Sequence, residues 1–221
     1  MESKNSIKNL EIKKQIIDTC LWLQKKGLVI STWGNVSMRV DDTIILTPSK
    51  IPYDVMTPED MVTIDYDGNI IDGLRVPTSE RELHRLIYLA RPDVNCIIHF
   101  HPVYASAICI TGEGIPPILE EMSQVLGGGV SITPEYIGAG DHRALGEIAV
   151  KYLGQKNAVL LQNHAPVCVG ADLENTKTAC LVLEKAATCY IAIKNKFDIK
   201  VIPDEHVESE HYRFFHLYGK E

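Results

Sequence analysis

No stretch of this sequence approaches the ~20 consecutive apolar residues needed to cross a bilayer. The opening residues, MESKNSIKNLEIKK, are polar where a secretory leader needs an apolar run, and they begin a helical pattern instead. Both absences lead us to expect a cytoplasmic protein. A basic excess is also missing: 29 acidic residues face 22 Lys and Arg, for a net charge of −7. That balance argues against a broad phosphate-neutralising face for nucleic acid, although isolated basic residues can still hold one small phosphate. No CxxC pair occurs among the six cysteines, Cys20, Cys96, Cys109, Cys168, Cys180 and Cys189. Scattered through apolar segments, they read as reduced small hydrophobes of a cytosolic protein. Nothing resembles an interdomain linker, an internal repeat or a low-complexity run.

What is present is an ordinary globular composition, 45% hydrophobic and 23% charged, enough to bury a core without staples. Apolar residues from Leu10 to Leu23 recur at helical offsets, with Gly27 as a stop. Val36 to Val40, Thr43 to Thr47 and Met61 to Tyr66 have period-2 character, and Asp67-Gly68 makes a hairpin turn into Asn69 to Ile71. Ser79 to Ala90 reads as a helix capped by Ser79 with Glu82 three residues on, closed before Pro92. Cys96 to Phe100 is a short buried strand. Helices follow at Val103 to Ile110, Asp141 to Leu153 and Leu173 to Lys194, with strands at Ala158 to Leu161 and Val167 to Val169. This interleaving predicts one α/β domain with a mainly antiparallel sheet covered by helices.

The strongest chemical signal is His99-Phe100-His101 at the end of an apolar strand. Side chains two apart on a strand share a face, so both imidazoles can reach one metal. His164 lies just past another buried strand, and three histidines leave a coordination position open for substrate. Glu80 stands in the first turn of a helix, where an acidic residue complements the helix dipole. The same helix start offers backbone N–H groups beside the Thr78 and Ser79 hydroxyls, a setting suited to a phosphate dianion. The loops Thr47-Pro48-Ser49-Lys50 and Gly34-Asn35 are built of turn residues, and only in combination do they point to anion binding. His84 reads as packed or solvated within its helix, and His206, His211 and His216 as surface residues of a polar tail.

These motifs together resemble the class II aldolase and adducin family, which includes sugar-phosphate aldolases, ribulose-phosphate 4-epimerase and the non-enzymatic adducin head. The likeness runs nearly end to end. Its carriers are Thr32-Trp33-Gly34-Asn35-Val36-Ser37, Thr47 to Tyr53, Pro77-Thr78-Ser79-Glu80, His99-Phe100-His101-Pro102, Gln162-Asn163-His164 and Leu217-Tyr218-Gly219. The resemblance implies a single three-layer αβα domain over residues 1–221, with 206–221 as a tail closing near the active site. It implies Zn2+ on His99, His101 and His164, with Glu80 as a fourth ligand and as the catalytic acid/base. Co2+ or Mn2+ would suit the same donors. Asn35, Ser49, Lys50, Thr78 and Ser79 match positions around the substrate phosphate, although Lys50 replaces a glycine.

A tyrosine that related aldolases donate across a subunit interface is missing here. The matching stretch is Ile118-Leu119-Glu120-Glu121, so Glu120 or Glu121 either takes that catalytic role or forms a solvated acidic pair. Tyr218 matches a C-terminal tyrosine of the family. The implied assembly is a homotetramer with active sites between subunits. The implied reaction cleaves a ketose 1-phosphate, L-fuculose 1-phosphate or a 5-deoxypentulose 1-phosphate, to dihydroxyacetone phosphate and an aldehyde. Ribulose-phosphate epimerisation, methylthioribulose-phosphate dehydration and oxo-tetronate-phosphate decarboxylation remain alternatives on the same scaffold.

Overall fold

A computed structural model describes residues 2–218, with side chains from residue 7 onward. Gly219, the last residue of the terminal motif, lies outside them. The first apolar pattern folds as α1 (Glu2–Lys25). It ends at Gly27, whose φ of 69° is open to a residue without a Cβ, and Leu28 N–H reaches back to the Leu23 carbonyl at 2.9 Å. A meander follows: β1 (Gly34–Val40), β2 (Thr43–Leu46), β3 (Val62–Ile64) and β4 (Ile70–Asp72). Gly68 turns the last hairpin at φ 91°, and Asp65 Oδ1 accepts from Asp67 N–H at 2.9 Å and Asn69 N–H at 2.8 Å.

The chain continues through α2 (Arg81–Ala90), β5 (Cys96–Phe100), α3 (Val103–Cys109), a π-helical turn (Met122–Leu126) and β6 (Ser131–Ile132). It ends with α4 (His142–Leu153), β7 (Ala158–Leu160), β8 (Pro166–Gly170), α5 (Leu173–Ile193) and α6 (Asp204–His216). The strands form one sheet of eight in the order β4-β3-β2-β1-β5-β8-β7-β6. Neighbours run antiparallel except at one edge, where β6 lies parallel to β7. The sheet is therefore mixed, which corrects the expectation of a mainly antiparallel one. The cause is the α4 crossover: a helix between two strands returns the chain to the same end of the sheet.

Side chains of the central strands alternate between two core clusters. Cys96, Ile98 and Phe100 of β5 pack with residues of α1, α3 and α5, whereas Ile97 packs with Leu83 and Ile87 of α2 and Leu145 and Ala149 of α4. Burying such an aliphatic side chain contributes about 1.5–3 kcal/mol, so the rigidity of β5 has a physical source on both faces. Gly34 is required where β1 meets β5. A Cβ there would sit 3.0 Å from the His99 carbonyl oxygen and 3.0 Å from Val29 Cγ2.

Three local expectations are corrected. Helix α2 starts at Arg81, with Glu80 in the cap position making no side-chain cap bond, and Glu82 pairs with Arg85 at 2.7 Å instead of closing a capping box. The polar tail is the helix α6, and its His211 Nδ1 lies 2.8 Å from the Gln124 carbonyl. The π-helical turn and β6 were not anticipated. All six cysteines carry free thiols, five of them buried. Among the described residues no helix is long and apolar enough to cross a membrane.

Candidate metal centre

Strand register brings the site together. Asn35 on β1 pairs with His99 on β5, and His99 in turn pairs with Val167 on β8. His101 follows directly beyond the end of β5. His164 is carried on the tight connection between β7 and β8, where Asn163 adopts φ 52°, a left-handed conformation that Asn tolerates. Asn163 N–H is tied to the Cys109 carbonyl at 2.7 Å and His164 N–H to the Leu161 carbonyl at 3.1 Å, which fixes the turn.

One ligand nitrogen from each of His99, His101 and His164 lies within 4.8 Å of the others. The Nε2 atoms of His99 and His101 are 3.1 Å apart. Glu80 closes the set, with Oε2 at 3.3 Å from His99 Nε2 and Oε1 at 3.3 Å from His164 Nε2. His99 Nδ1 lies 3.0 Å from the Pro166 carbonyl, so Nδ1 carries the proton and Nε2 presents its lone pair. Burial, reinforced by the neighbouring imidazoles, holds His99 well below the usual histidine range and His101 at about 3. Burial also lowers His164, opposed by Glu80. Neutral rings with converging lone pairs are the form that binds a divalent cation, so these donors fit one.

Glu80, His101 and His164 form one wall of a cavity of about 710 Å³, and His99 is fully buried beside them. The loops carrying Ser49, Lys50, Thr78 and Ser79 form another, with Asn35 between them. Those loops are pinned side by side, since Ser49 N–H donates to the Val76 carbonyl at 2.8 Å and Thr78 N–H to the Thr47 carbonyl at 3.1 Å. Lys50 adopts φ 63°. Replacing it by Gly is expected to stabilise the fold by roughly 0.5–1 kcal/mol, because a Cβ is strained there. The thermal midpoint of Lys50→Gly measures this effect, and a lowered midpoint would contradict it.

Not every expected residue comes to this cavity. Within one chain Glu121 pairs with Lys185, and Glu120 accepts from Gln124 at 3.3 Å. Tyr218 stacks on Phe214 with ring centroids 6.0 Å apart. None of the three lines the cavity. Conversely, Tyr136 and His142 line it without having been anticipated, and His142 Nδ1 is buried with no partner. His142 follows the Asp141 cap of α4, and no local motif marks it.

His84 is fully buried, and burial pushes it down to about 4. Its folded value lies below the unfolded ~6.5, so the unfolded chain takes up this proton first as pH falls. Stability of the metal-free protein is expected to decline from about pH 6.5 to about pH 4, by ~3 kcal/mol from this group. Denaturant midpoints at pH 7 and pH 5 measure it, and equal midpoints would contradict it.

A family profile described as Class II Aldolase and Adducin N-terminal domain matches residues 14–191. The chain belongs to the class II aldolase and adducin family. It is 34% identical over 198 residues to an L-fuculose phosphate aldolase of Escherichia coli, covering 89% of this chain and 91% of that one. Over 110 residues it is 40% identical to a probable L-ribulose-5-phosphate 4-epimerase of Mycoplasma pneumoniae, covering 48% and 45% of the two chains. A solved L-fuculose 1-phosphate aldolase superposes with a TM-score of 0.88 at 29% identity, over 93% of this chain and 96% of the other. Class II aldolase architecture thus accounts for the sheet and for the strand ends that carry the histidines.

Proposed function

We propose that this chain is a zinc-dependent class II aldolase that cleaves a ketose 1-phosphate to dihydroxyacetone phosphate and an aldehyde. The observation that carries the reading is the Glu80 carboxylate, bridging His99 and His164 at 3.3 Å each on the wall of a cavity that also holds a polar cradle. A Zn2+ ion on His99, His101 and His164, one per subunit, would supply a Lewis acid to the ketone oxygen and the adjacent hydroxyl.

The other steps belong to the chain's own residues. Ser49, Lys50, Thr78 and Ser79, with Asn35, bind the phosphate and so orient the ketone end of the sugar towards Glu80. When the C3–C4 bond breaks, its electron pair stays with the three-carbon phosphate half, and the C4 hydroxyl becomes the aldehyde by passing its proton to the Glu80 carboxylate. Glu80 then gives a proton to C3, releasing dihydroxyacetone phosphate. In the synthetic direction Glu80 removes that proton. In a homotetramer, Glu120 or Glu121 and Tyr218 serve the aldehyde end of a neighbouring subunit's site, and the 206–221 segment of the single 1–221 domain closes over it.

The test is a metal-replete assay against a panel of ketose 1-phosphates that includes L-fuculose 1-phosphate and a 5-deoxypentulose 1-phosphate. A coupled enzyme reports dihydroxyacetone phosphate. Release from at least one member is expected. Metal binding without release from any of them would overturn the aldolase reading and leave 4-epimerase, dehydratase or decarboxylase chemistry at the same site.

A further inference from the structure

Behind Glu80 runs a buried polar chain that reaches from the cavity into the core. Asn35 Nδ2 lies 2.6 Å from Glu80 Oε2, His84 Nε2 lies 2.5 Å from Asn35 Oδ1, and Ser37 Oγ lies 2.6 Å from His84 Nδ1. Tyr88 hydroxyl completes it at 2.9 Å from Ser37 Oγ. Every member is buried, His84 and Ser37 completely. Its geometry follows from two periodicities: Asn35 and Ser37 are two apart on β1, and His84 and Tyr88 are four apart on α2, so each pair shares a face.

The direction of every bond is determined. A carboxylate only accepts, so Asn35 must turn its amide nitrogen to Glu80 and its oxygen to His84. His84 Nε2 must then carry the proton and donate to that oxygen. Its Nδ1 accepts from the Ser37 hydroxyl, and the Ser37 oxygen accepts from Tyr88.

We propose that His84 is a positioning residue for proton transfer: by locking the Asn35 amide it holds Glu80 Oε2 and leaves Oε1 as the oxygen that exchanges the proton with substrate. Without the His84 donor, the Asn35 amide loses the partner that fixes its orientation. A flipped amide would set Oδ1 against the carboxylate, two acceptors face to face, and would turn Glu80 away. The inference deepens the proposed role of Glu80 and rests on it.

The experiment follows exchange of the C3 hydrogen of dihydroxyacetone phosphate with D2O by NMR, using the full zinc-loaded enzyme. His84→Leu is expected to lower the exchange kcat by roughly 10–100-fold, the scale of losing a supporting hydrogen bond around a metal site, with full zinc content. KM should change less than kcat, because Ser49, Lys50, Thr78 and Ser79 of the phosphate cradle make no contact with His84. His84→Gln, whose amide N–H replaces the Nε2 donor, is expected to restore most of the rate, which recovery of packing alone would not do. Exchange by the wild type that His84→Leu retains would overturn the positioning role alone. Absence of exchange by the wild type would overturn the aldolase reading and the positioning role with it. Should the leucine variant fail to fold, ¹⁵N-imidazole spectra of the wild type decide, with His84 assigned by its loss in His84→Gln. A neutral Nε2–H tautomer is expected, and an Nδ1–H tautomer would overturn the proposal.

Discussion

Replacing Glu80 by Gln is expected to leave zinc bound at wild-type stoichiometry and to reduce turnover by about 10²–10⁴-fold, the usual worth of a positioned acid or base. The two side chains are close in size, and the amide oxygen can still accept from Asn35 Nδ2, now 2.6 Å from the carboxylate. The amide nitrogen cannot take up a proton, so what is lost is transfer at C3. The Lewis-acid contribution of a zinc ion held by the three imidazoles would survive, so the residual rate should remain sensitive to chelators. Metal analysis and dihydroxyacetone phosphate exchange on the same preparation separate the two contributions. A near-normal rate would remove Glu80 from proton transfer, and loss of zinc would make it chiefly a ligand.

His99→Ala is expected to abolish activity and leave less than one zinc per chain. His99 is completely buried at the centre of the donor set, 3.1 Å from His101 Nε2 and 3.3 Å from Glu80 Oε2. Truncation removes a ligand, leaves the Pro166 carbonyl without its donor and opens a cavity beside β8. The lost hydrogen bond and the void together cost about 2–4 kcal/mol of stability. His101→Ala separates metal loss from core damage, because His101 lies beyond the end of β5 and is only partly buried. Both variants should lose metal, and only His99→Ala should lower the denaturant midpoint markedly. Stoichiometric zinc in His99→Ala would contradict its ligand role.

The sequence made the donor set readable because it is written into short local patterns. Alternation on β5 sends His99 and His101 to one side, and the apolar run of β7 announces the turn that carries His164. The cradle loops were legible from turn chemistry. The role of His84 was not, because its partners Ser37 and Asn35 stand 47 and 49 residues away, and a histidine buried in a network has the same local sequence as one packed in a core. The late start of α2 has the same origin: Glu80 satisfies Asn35 and faces the imidazoles, so it is not free to behave as an ordinary first-turn acid. Helix α6 carries its own signal in the sequence, with Asp204 and Glu205 in its first turn and Arg213 and His216 in its last. The two-residue β6 is too short for periodicity to mark, and its parallel pairing depends on the α4 crossover.

The measurement that tests the account most directly strips the enzyme with a chelator and restores zinc stepwise, following dihydroxyacetone phosphate release from the best ketose 1-phosphate. Release should vanish on stripping and return in proportion to zinc, reaching a plateau at one equivalent per chain. Release that persists without metal, or a fully zinc-loaded enzyme that releases none, would contradict a zinc-dependent aldolase built on His99, His101, His164 and Glu80.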